Sequence, residues 1–66
     1  MFQITLKAAR VNAGLTQTEV AKAIGKAPGT LCAWERGKGV IDVNSFYRMC
    51  GLYKVAPERI LLQKQN

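Results

Sequence analysis

The groups able to do chemistry in this sequence are four carboxylates, two thiols and ten Lys or Arg side chains, with no histidine. General acid and base catalysis needs a proton donor and an acceptor held together. Glu19, Asp42 and Glu58 instead stand where helices are expected to begin, suited to caps and helix dipoles. Cys32 and Cys50 are too far apart for a CxxC pair, and without histidine no metal site is expected. That leaves the cations. Ten of them against four acids give a net charge of +6, which favours a polyanionic partner such as nucleic acid or an anionic membrane. Lys26, Arg36 and Lys38 all lie in one stretch, KAPGTLCAWERGK, residues 26–38.

The elements that position these groups belong to a short chain. Its 66 residues make one domain, 1–66, in which nearly every apolar side chain must share a core, leaving little room for a catalytic cavity. The start, MFQITLKAAR, lacks the basic-then-apolar order of a secretion signal, and no window approaches the roughly 20 apolar residues of a membrane span. A cytoplasmic location with reduced thiols and no membrane partner is expected.

Five short helices are expected, at about 2–13, 17–24, 27–36, 43–52 and 57–63, with no strands. Phe2, Leu6, Ala9 and Ala13 form the first apolar stripe, broadened by Ile4, Ala8 and Val11, and Gly14 ends it. The run T-Q-T-E, from Thr16 to Glu19, is a capping box that opens the second helix, whose core side carries Val20, Ala21 and Ile24 before Gly25 stops it. Pro28 marks the first turn of the third helix, which is locally weak because Ala27 is a poor cap and Gly29 a poor helix former. Leu31 and Trp34 must anchor it. Asp42 can cap the fourth helix, with Val43, Phe46, Met49, Cys50 and Tyr53 inward, and Pro57 with Glu58 reads as the start of a fifth carrying Ile60, Leu61 and Leu62.

Placed in order, LKAARVNAGLTQTEVAKAIGKAPGTLCAWERGK resembles the helix-turn-helix core of lambda-type phage repressors, Cro proteins and their bacterial relatives, the XRE-like family. IDVNSFYRMCGLYKVAPERIL falls on that family's fourth and fifth helices, so the resemblance spans about residues 4–62. Its most specific pieces are LTQTEVAKAIG and the WERGK ending. The resemblance implies an all-α fold, a compact five-helix lambda-repressor-like domain whose second and third helices form the helix-turn-helix. It also implies a sequence-specific regulator of transcription, a repressor that binds double-stranded DNA as a homodimer on pseudo-palindromic half-sites, without cofactor or small-molecule ligand. In that scheme the third helix enters the major groove, about 12 Å wide.

The same resemblance distributes roles. Lys26, Ala27, Pro28, Gly29, Thr30, Cys32 and Ala33 face the bases, while Gln17, Arg36 and Lys38 meet phosphates. Gln17 read alone is an exposed first-turn glutamine, and Arg36 and Lys38 alone are a solvated basic helix end. Arg10 and Glu35 form a structural ion pair between helices one and three; the other reading has Glu35 accept from a cytosine amine. With Glu35 so engaged no acid and base pair is left, and no enzyme is expected. Trp34 either clamps its helix to the core or stacks on a base, and Tyr47 and Tyr53 read as structural. Cys32 reads as an exposed thiol and Cys50 as a small core residue. Val40, Ile41, Leu61 and Leu62 either form a dimer interface or complete the core.

The base-facing set departs from the family pattern because it lacks the glutamine, arginine and asparagine side chains that make bidentate contacts to bases. Short side chains could let the backbone approach the groove floor, with Ala27, Pro28 and Ala33 against thymine methyls and DNA shape adding preference. Alternatively the surface meets a protein, and the domain is an interaction module of the same fold.

Overall fold

The computed structural model describes residues 2–62. The element order is β1 (Ile4–Thr5), α1 (Leu6–Asn12), α2 (Gln17–Ile24), α3 (Pro28–Glu35), α4 (Val43–Tyr53), a 3-10 turn (Pro57–Arg59) and β2 (Ile60–Leu61). The chain is mostly helical, but the expectation of five helices and no strands is corrected on both points. From Ile60 the backbone is extended (φ −83°, ψ 125°), and β2 lies parallel to β1 with Ile4 opposite Ile60 and Thr5 opposite Leu61. Pro57 and Glu58 do start a helical turn, yet pairing two β-branched isoleucines across the ends of the chain prevails over its continuation. Position 63 of the expected fifth helix lies outside the described residues.

The first helix is shorter than its apolar stripe suggests, for the same reason. Residues 4 and 5 belong to β1, and the Thr5 hydroxyl accepts from the Ala8 amide at 3.1 Å, fixing the helix start at Leu6. Phe2 is 85% exposed, not a core residue, and Val11, Ala13 and Val43 are exposed too. Tyr47, read as structural, is also exposed, its ring edge-on to Phe46 with centroids 5.9 Å apart.

Local bonds set the other helix starts. The Glu19 amide donates to Thr16 Oγ1 (3.1 Å) while the Thr16 amide donates to Glu19 Oε1 (2.9 Å), closing the capping box of α2. Asp42 Oδ2 accepts from the Ser45 amide at 3.0 Å and starts α4. Ala27 offers no side-chain cap, so α3 begins on the preset backbone of Pro28 alone.

All four α-helices end alike. An amide two or three residues past each end donates five residues back: Leu15 to Arg10, Lys26 to Ala21, Lys38 to Ala33 and Val55 to Cys50. The residue before each is left-handed, a glycine after α1, α2 and α3 but Lys54 (φ 57°) after α4. The core gathers Leu6, Ala9, Val20, Ile24, Leu31, Trp34, Met49, Cys50, Tyr53 and Ile60, so every helix and β2 contribute to it.

Candidate nucleic-acid interface

α2 and α3 pack on each other more extensively than any other pair of elements, with the Gly25–Lys26–Ala27 turn at one end. Gly25 takes φ 74°, which costs a glycine nothing. Ala21 of α2 is 0% exposed, so a longer side chain there would have to displace its neighbours. Leu31 and Trp34 are buried on the inner side of α3.

The helical repeat therefore directs Gly29, Cys32, Ala33 and Arg36 toward the opposite side, with Pro28 and Thr30 on its flanks. Lys26, Ala27, Pro28 and Gly29 are exposed and Thr30, Cys32 and Ala33 half-buried, so the Cys32 thiol is more enclosed than an exposed one. Arg36 and Lys38 follow immediately, both exposed. Trp34 is only 8% exposed and is not available for stacking on a base; a Cβ placed on Gly39 would lie about 3.9 Å from its ring.

Behind this surface lies a polar cluster. Arg10 Nε donates to Glu35 Oε2 at 2.6 Å and Nη2 to Oε1 at 3.2 Å, while Nη1 donates to the Leu15 carbonyl at 2.9 Å. The pair is enclosed, with side chains 12% and 3% exposed, and the hydrogen bonding to Glu35 raises the Arg10 pKa above its ordinary value. A carboxylate so enclosed cannot accept from a cytosine amine. Gln17 Nε2 also donates to Glu35 Oε1, at 2.9 Å, tying the first residue of α2 to the last of α3. Tyr53 is buried nearby with no hydrogen-bond partner for its hydroxyl among the described residues, and burial pushes its pKa up to about 12.

Sequence reading missed two of these contacts. The Gln17–Glu35 bond depends on how two helices cross, which spacing does not encode. Lys26 Nζ lies 3.8 Å from Asp42 Oδ1, so the turn of the helix-turn-helix touches the cap of α4. Only the type of Asp42, an acid in a basic chain, hinted that a cation would be near.

The four apolar residues expected at a dimer interface do not form a uniform set. Val40 is 90% exposed, Leu61 and Leu62 are about half-exposed, and Ile41 packs partly against the core.

Ala21 buried on α2, Gly25 in the turn, Leu31 and Trp34 inside and small residues with cations outside are the features of a helix-turn-helix. A family model described as helix-turn-helix matches residues 6–60. No curated protein matches. Nor does any solved structure. With that match over most of its length, the chain belongs to the XRE-like helix-turn-helix family and is a DNA-binding transcription regulator of that type.

Proposed function

We propose that the protein is a repressor of the phage Cro and repressor type, a single cytoplasmic domain over residues 1–66 that binds operator half-sites in double-stranded DNA as a homodimer. In this reading α3 reads the major groove through Lys26, Ala27, Pro28, Gly29, Thr30, Cys32 and Ala33. Gln17, Arg36 and Lys38 hold phosphates on either side, and Val40, Ile41, Leu61 and Leu62 supply the dimer contact. It needs no metal, cofactor or small-molecule ligand, performs no catalysis and has no membrane partner. Among the described residues no helix is long and apolar enough to cross a membrane.

One observation carries the reading. The exposed side of α3 is made of small side chains and is bordered by exposed Lys26, Arg36 and Lys38, so a polyanion with a groove could approach its backbone closely. One small domain on one half-site buries too little surface for tight, specific binding, which is why two copies are invoked.

Selecting bound duplexes from a random pool tests binding, half-site spacing and symmetry together. On a selected duplex, log K should fall linearly with log salt by about 0.9 per phosphate neutralised. Lys38→Ala should weaken all sequences alike, whereas Ala33→Gln should change the preference among them. A flat salt titration would remove the electrostatic basis of the reading. It would favour a protein-interaction module, the second reading, which rests on the lack of long polar side chains between Ala27 and Ala33.

A further inference from the structure

We infer that Glu35 is the positioning residue for Gln17: held by Arg10, its carboxylate fixes which end of the Gln17 amide is available to a DNA phosphate. The inference rests on the proposed role of Gln17 at the backbone and adds a function to a pair otherwise only structural.

A glutamine amide carries an acceptor oxygen and an NH2 donor in one plane, and a phosphate offers acceptors only. Rotation of the terminal torsion exchanges the two ends, and that torsion is soft. An unrestrained Gln17 would therefore present its oxygen to the phosphate part of the time, where it repels. Glu35 removes that ambiguity, because an ionised carboxylate also only accepts and so selects the NH2 end, at 2.9 Å. One N–H is used. The other has no partner among the described residues and can donate to a phosphate.

Glu35 can do this because it is enclosed and held by Arg10. Two guanidinium nitrogens of Arg10 hold it, and the third is anchored on the Leu15 carbonyl in the loop that leads into α2. The base of the support is thus attached to the segment that Gln17 opens. Gly25 joins α2 and α3 at one end, and the Gln17–Glu35 bond closes the other, so the same contact fixes the crossing of the two helices.

Ordering one long side chain before binding avoids an entropic cost worth about three- to tenfold in affinity. The test is a double-mutant cycle on the full chain, with anisotropy of a fluorescent selected duplex as the readout. Gln17→Ala should weaken the native protein about three- to tenfold. Glu35→Gln should weaken it similarly, because a neutral amide can pair with either end of Gln17. In the Glu35→Gln background, Gln17→Ala should then cost almost nothing further. If instead it costs the same in both backgrounds, Glu35 does not position Gln17, although the DNA reading survives. If Gln17→Ala leaves native affinity and salt slope unchanged, the phosphate role of Gln17 fails and the inference with it.

Glu35→Gln could unfold so small a domain, so a second measurement uses the unmodified sequence. In 15N spectra one Gln17 side-chain amide proton should lie downfield through its bond to Glu35 and stay there as duplex is added, while the other shifts. Movement of both to free-amide positions would overturn the inference.

Discussion

At the scale of residues, burial decides which charge pairs matter. Arg10 and Glu35 are enclosed and joined by two hydrogen bonds, whereas Lys26 and Asp42 are about half-exposed at 3.8 Å. Arg10→Ala strands a carboxylate in a low-dielectric site and should cost about 3 to 5 kcal/mol, while Lys26→Ala should cost at most about 1 kcal/mol. Urea midpoints of the two variants check this, and equal midpoints would refute the ranking. Tyr53 carries a pH dependence. Its pKa of about 12 lies above the value near 10 of an unfolded tyrosine, because burial and then the Glu35 charge oppose ionisation. The unfolded chain therefore releases that proton first, and the stability this group contributes, intact below pH ~10, should be lost as pH rises towards 12. Tyr53→Phe should flatten the alkaline fall of the urea midpoint without loss at neutral pH, since the hydroxyl has no partner among the described residues to forfeit. An unchanged alkaline slope would show that other groups cause it.

At the scale of elements, what was legible in the sequence is what local bonds decide. Thr16, Glu19, Asp42 and Pro28 act within three or four residues of themselves, so reading them in order shows where α2, α3 and α4 start. β1 and β2 were not legible because each is two residues long, too short for alternation to show, and their partner lies at the other end of the chain. The same limit hid the Gln17–Glu35 bond while leaving the inward side of α3, with Leu31 and Trp34, readable from its repeat. The helix ends allow a paired test. Gly25→Ala places a Cβ in open space at φ 74°, so its cost is backbone strain alone, about 1 kcal/mol. Lys54→Gly relieves the same strain at φ 57° and should stabilise by about 0.5 to 1 kcal/mol, less any dipole contribution from the lysine. Thermal melts should shift in opposite directions, and a loss of stability in Lys54→Gly would mean that its side chain matters more than its backbone.

At the scale of the whole molecule, the excess of cations over acids is not spread evenly in its consequences, because Asp42 sits beside the one cation nearest the start of α3. Its carboxylate pKa is lowered by the hydrogen bonds from Ser45, with Lys26 contributing, so it stays charged near neutral pH and opposes an approaching phosphate. Asp42→Asn keeps an equally good helix cap, so the start of α4 should survive. The net charge of +6 rises by one, and Lys26 loses its competing partner. Duplex affinity should then increase for selected and unrelated sequences alike. If Lys26 takes up a phosphate, the slope of log K against log salt should steepen by about 0.9. If it goes to a base edge, the gain should instead concentrate on selected duplexes while the slope changes little. Unchanged affinity in a variant that melts like the parent would show that neither Lys26 nor Asp42 lies near the bound DNA, and would move the interface away from the turn between α2 and α3.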